Sequence, residues 1–263
     1  MDEKFDRRAV VANTLVCVGL DSAIASLPPR FRDEDEPQFA FNRWIIAQTH
    51  EYAAAYKPNI AFYEARGDQG LRELKRTVDY LREQHPGIVT ICDAKRGDNA
   101  TTNRGYVEGI FDWLGFDAVT LSPYLGRRSL QPFLDRRDMG CIVLTRTSNP
   151  GDGELQDLIV EGRPLWQVVT EQVRDGWNEN GNCMLLIGAT RPEELRLTRE
   201  LAPEMTLLVP GIGMQGGSGE NAVQLGKNRA GRGLIVSASR SVIFAEDPAA
   251  AARALRDEVN ASR

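Results

Sequence analysis

Eight short runs rich in β-branched and apolar residues, at 14–20, 55–62, 88–92, 118–121, 140–144, 184–187, 206–209 and 233–236, alternate with longer stretches of helical spacing. The helical stretches lie at 38–53, 70–83, 101–114, 164–178 and 192–201, and a last one, 248–259, follows the final strand run. Strand then helix, repeated along a chain, requires parallel strands joined by right-handed crossovers. A doubly wound sheet and a closed (β/α)8 barrel both satisfy that rule, and eight strands favour the barrel. The expected class is therefore α/β, a TIM barrel, with residues 1–263 forming one catalytic domain, since such barrels commonly reach this length as a single unit. The connection after the fifth strand is the least regular: Asn149-Pro150-Gly151-Asp152-Gly153 opens a turn-rich stretch, and 151–163 is read as a long loop of unassigned role.

Bulk properties exclude several classes of partner. A net charge of -5 gives no general attraction to nucleic acid or to an anionic membrane, so any anion must be held by a local site. The first eight residues are charged where a signal peptide would turn apolar, and no apolar run reaches the ~18 residues of a membrane span, so a cytoplasmic location is expected. Cys17, Cys92, Cys141 and Cys183 sit singly in apolar runs and read as free buried thiols. His50 and His85 have no second ligand at metal-binding spacing and read as helix-surface or loop residues, so no metal site is expected.

Charge placed inside strands is the informative exception. Asp93 and Lys95 follow the apolar run 88–92, and residues two apart on a strand face the same side. In this fold active sites form at the C-terminal ends of strands, which is where Asp93, Lys95 and Asp98 fall. Asp21 closes the first strand and Lys57 lies within the second, where an unpaired charge is costly. Singly, Asp21 could be a turn residue, Asp98 a helix cap and Lys57 a side chain reaching outward from a strand end. Together the five could form an alternating array in which each ammonium neutralises carboxylates on either side.

A second feature lies at the far end of the chain. Gly211, Gly213, Gly216 and Gly217 follow the seventh strand, where glycine lets backbone N–H groups approach an anion, and Arg240 follows the eighth. Barrels of this type commonly hold phosphate with the loops after strands seven and eight, and a guanidinium fork matches phosphate oxygens.

Asp93-Ala94-Lys95-Arg96-Gly97-Asp98 carries the D-x-K-x-x-D pattern, and the chain thereby resembles the orotidine 5'-phosphate decarboxylase family, in particular its longer bacterial members. The resemblance extends to Asp21, Lys57, Thr102, Ser148, Gln215 and Arg240, and so spans nearly the whole chain. It implies a carboxy-lyase of pyrimidine biosynthesis that makes UMP without a cofactor. Lys95, Asp93, Asp98 and Lys57 would be its catalytic groups. Asp21 and Lys57 would contact ribose hydroxyls, Ser148 the pyrimidine edge, and Gln215 both phosphate and pyrimidine. Gly216, Gly217 and Ser239 would form the phosphate loop with Arg240. The implied partner is a second copy of the chain, a homodimer in which Asp98 and Thr102 reach the neighbouring site; no nucleic acid or membrane partner is expected. Tyr124 has no assigned role. Two other readings share parts of the pattern: a metal-dependent phosphorylated-sugar decarboxylase or aldolase of the same superfamily, and a non-catalytic nucleotide-binding barrel. The metal-dependent relatives carry an acidic ligand on the second strand where Lys57 stands here, although Glu64 lies a few residues on.

Overall fold

Eight parallel strands close into a barrel in the computed structural model, which describes residues 1–213 and 216–263. They are β1 (Val16–Gly19), β2 (Ala55–Lys57), β3 (Val89–Arg96), β4 (Ala118–Leu121), β5 (Gly140–Arg146), β6 (Cys183–Ile187), β7 (Leu207–Pro210) and β8 (Leu234–Ala238). Each pairs with the next along the chain, and β8 returns to β1 through Val16↔Val236 and Cys17↔Ser237. Because helices cover the outside while side chains fill the inside, strand residues are buried on both faces, and continuous rather than alternating apolar runs result.

The helical stretches form as the spacing predicts, with bounds shifted by a few residues: Pro37–Thr49, Gly67–Gln84, Pro192–Leu201 and Pro248–Ala261. Ala100–Val107 and Leu165–Gln172 each continue in wider π turns, to Leu114 and Trp177. Asp247 starts the last helix by accepting the Ala250 N–H at 2.9 Å, with Pro248 in its first turn.

The second strand is shorter than its apolar run. It ends at Lys57 because Pro58 has no N–H to give the ladder and the Asn59 side chain accepts the Ala61 N–H at 3.1 Å, launching the short helix Ala61–Glu64. Three helices of eight residues or more lie outside the expected helical stretches: Asp2–Val11, Arg127–Leu134 and Gly219–Gly226. The long loop after β5 holds a short helix, Gly153–Gln156, and a two-stranded hairpin pairing Ile159–Val160 with Arg163–Pro164.

All four cysteines are free and buried, and burial pushes the Cys17 thiol up to about 12. His50 and His85 stand at the C-terminal ends of two helices with their rings stacked at 4.4 Å.

Arg199 is a buried guanidinium that donates to five backbone carbonyls, those of Ala202, Pro203, Met205, Gly226 and Gly233, at 2.8–2.9 Å. It ties the lead-in to β7 to the turn before β8. Arg199→Met is expected to cost about 2 kcal/mol, because buried carbonyls lose a charged donor that the thioether cannot replace. Urea denaturation at neutral pH checks this, and an unchanged midpoint would refute the clamp.

Candidate active site

Lys57, Asp93 and Lys95 form one continuous ion chain at the C-terminal mouth of the barrel. Lys57 Nζ donates to Asp93 Oδ2 at 2.8 Å and Lys95 Nζ donates to Asp93 Oδ1 at 2.7 Å. Lys57 and Asp93 are buried, whereas the Lys95 side chain is 47% exposed and faces the opening. Burial by itself would raise the Asp93 pKa, but the charges of Lys57 and Lys95 and their hydrogen bonds outweigh it and hold the carboxyl well below the usual range. Burial likewise works to lower Lys57; Asp93 and then Asp21 outweigh it, and the ammonium stays above the ordinary lysine range. Both lysines therefore pair with an ionised carboxylate, and Asp21 acts on Lys57 through its charge. One Asp21 oxygen, Oδ1, is buried without a hydrogen-bond partner among the described residues.

Asp98 and Thr102 stand apart from this chain. Asp98 Oδ1 accepts the Asn99 N–H at 2.6 Å and makes no ion pair among the described residues. The cap of the following helix is Asn99, whose Oδ1 accepts from the N–H groups of Thr101 and Thr102 at 3.1 Å, so the capping alternative for Asp98 falls to its neighbour. Thr102 is exposed on the first turn of that helix. Within one chain the array thus comprises Lys57, Asp93 and Lys95 with Asp21 beside them.

On the opposite side of the mouth the loop after β7 folds back on itself. Gly217 N–H donates to Gly211 O at 3.1 Å and Gly213 N–H to Gly217 O at 3.0 Å. A Cβ at Gly217 would stand 2.5 Å from the Ala189 side chain and 2.7 Å from Gly211 O, so only glycine fits. Ser239 and Arg240 begin a helix, 240–243, directly after β8; Arg240 is exposed and has no ion pair among the described residues. Gln215 lies outside the described residues. Tyr124 is 79% exposed beyond β4.

Ser148 follows β5 and packs on Gly188, where a Cβ would approach its Cβ to 2.6 Å. Its loop is anchored by Arg146, a buried charge at the end of a strand that carries no expected role from sequence. Arg146 Nη2 donates to Asp157 Oδ2 at 3.1 Å and Nη1 to Gln156 Oε1 at 3.3 Å, while Asp152 and Glu194 lie within 3.6 and 3.7 Å. Arg191 holds the same Asp152 through two bonds of 2.7 and 2.9 Å, and Gln156 bonds both the N–H and the hydroxyl of Thr147. The partners come from a loop and from the helix after β6, so only folding brings them together.

Among the described residues no three His, Cys, Asp or Glu side chains gather into a metal-binding group. Glu64, the acidic residue that follows the second strand, is paired with Arg96, whose guanidinium also lies over the Tyr106 ring at 4.9 Å.

Closed barrel, charged mouth and glycine loop define a TIM-barrel enzyme. The sequence pattern described as Orotidine 5'-phosphate decarboxylase / HUMPS family matches residues 14–255. The chain is 44% identical to the orotidine 5'-phosphate decarboxylase of Cellvibrio japonicus, covering 99% of this chain and 98% of the relative. Among solved structures, the OMP decarboxylase of Leishmania donovani superposes with a TM-score of 0.88 at 39% identity, over 99% of this chain and 97% of that one. The UMP synthase of the same organism superposes with a TM-score of 0.91 at 40% identity, and there this chain spans 56% of the other's length. The chain belongs to the orotidine 5'-phosphate decarboxylase / HUMPS family, and it is a carboxy-lyase.

Proposed function

We propose that the chain converts orotidine 5'-phosphate to UMP and carbon dioxide in the cytoplasm, without a metal or cofactor, as a step of pyrimidine biosynthesis. Residues 1–263 form one catalytic barrel domain in this reading. Arg240 and the backbone around Gly216, Gly217 and Ser239 take the phosphate, Ser148 the pyrimidine edge, Gln215 both phosphate and pyrimidine, and Asp21 and Lys57 the ribose. Lys57 has two N–H donors left after its bond to Asp93. In a homodimer Asp98 and Thr102 complete the neighbouring site. No helix among the described residues is long and apolar enough to cross a membrane.

In the reaction the bond from C6 to the carboxyl carbon breaks, carbon dioxide leaves, and the electron pair remains on C6. Lys95 stabilises that carbanion and then gives it a proton from its ammonium, which solvent later restores. The observation that carries this reading is the Lys57–Asp93–Lys95 chain, with both contacts below 3 Å and the carboxylate held ionised between two cations. Asp93 would repel the substrate carboxylate by about 4 kcal/mol at ~4 Å and an effective dielectric near 20, which supplies at most about a thousandfold. The larger share has to come from a cation already in place where negative charge develops, and from binding energy at the remote phosphate.

Loss of orotidine 5'-phosphate, followed by ultraviolet absorbance with EDTA present, tests the reading; consumption no faster than in buffer would sink it. Arg240→Ala is expected to raise KM by about 10- to 100-fold, the worth of one or two hydrogen bonds to a charged group, with a smaller change in kcat. An unchanged KM would remove Arg240 from the phosphate site.

A further inference from the structure

We propose that Thr120, on β4, is a positioning residue that fixes the Asp93 carboxylate and the Lys95 backbone with one hydroxyl group; the inference rests on the decarboxylase reading above. The pairing of β3 with β4 runs Ile91↔Ala118 and Cys92↔Val119 and resumes at Arg96↔Leu121. Three residues of β3, Asp93, Ala94 and Lys95, therefore stand against Thr120 alone. A bulge of this kind deprives N–H groups of their ladder partners. The Asp93 N–H keeps an ordinary ladder partner on the β2 side, Pro58 O at 3.0 Å, through the Asn59↔Asp93 bridge. Those of Ala94 and Lys95 both donate to Thr120 Oγ1, at 3.0 and 2.9 Å.

Two accepted bonds use both lone pairs of the hydroxyl, which leaves its hydrogen one direction, toward Asp93 Oδ1 at 2.9 Å. That oxygen is the one that also receives Lys95 Nζ. Thr120 thus closes a loop: it holds the backbone from which Lys95 springs and orients the carboxylate to which the Lys95 ammonium returns. The side chain is fully buried, where an unmet N–H or carboxylate oxygen is costly.

Lys95 also has φ of 47°, in the left-handed region that costs a residue with a side chain about 1–2 kcal/mol. Its backbone N–H is tied to Thr120, so the conformation is kept from relaxing into a regular strand. Without that tie the ladder can slip toward ordinary pairing, and the ammonium would move relative to the phosphate site across the mouth. A displacement of about 1 Å at a reacting group costs on the order of 10²-fold in rate.

The test compares Thr120→Val, which keeps the shape but loses the hydroxyl, with Thr120→Ser, which keeps the hydroxyl. For each, kcat and KM with orotidine 5'-phosphate are measured, and the Kd of UMP is obtained by calorimetry. A positioning role predicts that the valine variant loses on the order of 10²-fold in kcat while its UMP Kd changes by less than about threefold, and that serine restores most of the rate. A purely structural role would weaken UMP binding as much as turnover. That result, or a valine variant within about threefold of the unmodified kcat, overturns the proposal. If the valine variant does not fold, Thr120→Cys, a weak donor and acceptor, takes its place against serine under the same criteria. An unmodified chain that leaves orotidine 5'-phosphate untouched sinks the decarboxylase reading and this inference with it; an active unmodified chain with an equally active valine variant sinks this inference alone.

Discussion

Lys95→Ala is expected to lower kcat on the order of 10⁴-fold while the Kd of UMP changes by less than about tenfold. Two losses combine: the cation prearranged beside the developing carbanion, and the acid that protonates it. Each is commonly worth about 10²–10⁴-fold, and together they exceed what either gives alone. Binding survives because phosphate, base and ribose are held by other residues, and because Asp93 keeps its second cation, Lys57, at 2.8 Å. The fold survives too, since the Lys95 side chain is half exposed and its loss opens no cavity in the core. Single-turnover assays with calorimetry of UMP binding separate the two effects. Near-normal turnover in the alanine variant would refute Lys95 as the proton donor, whatever its geometry.

Barrel and array differ in how far the sequence betrays them. Apolar runs wrapped by periodic helices leave few topologies, so the eight strands are legible, and Asp93 and Lys95 are legible because charge at a strand end needs a reason. Failures occur where local chemistry overrides pattern. The run 55–62 has strand-like apolar residues at both ends, yet Pro58 and the Asn59 turn divert its second half into a helix. Arg127–Leu134 escapes notice because it opens with two arginines and contains Pro132; its buried face is only Leu130, Phe133 and Leu134. Gly219–Gly226 is bounded by glycines that read as more loop.

Within the site, residues whose role depends on distant partners were invisible. Thr120 looks like any β-branched strand residue until the bulge in β3 delivers two N–H groups to it. Arg146 finds Asp152 and Asp157 only once the loop after β5 folds back over its strand, and Glu194 only once the helix after β6 docks beside it. The left-handed backbone of Lys95 has no signature either, since glycine and asparagine are the residues that advertise that conformation.

The buried half of the ion chain yields the second large effect. Lys57→Met keeps much of the aliphatic volume but leaves Asp93 with one half-exposed cation, and removing one partner of a buried pair typically costs about 3–5 kcal/mol. In the unmodified chain the Asp93 pKa is depressed below its unfolded value of about 3.9, so its contribution to stability is present above that pH and is lost only as pH falls further, through the folded value. Lys57, with its pKa raised, contributes stability below its unfolded value of about 10.4 and loses it as pH rises through the folded one, outside the neutral range. With methionine at 57, Asp93 loses the stronger of its two cations, so burial, the largest single influence on it, is opposed chiefly by Lys95; its pKa is expected to move upward and the carboxylate to become a burden at neutral pH that protonation relieves. The stability deficit of the variant should therefore be largest near pH 7 and shrink toward pH 4.5, and Lys57→Met combined with Asp93→Asn should recover much of it at pH 7. Urea denaturation of the three chains at both pH values decides the matter: a deficit independent of pH, with no recovery in the double variant, would mean that the lysine contributes packing and that Asp93 is held ionised by Lys95 alone.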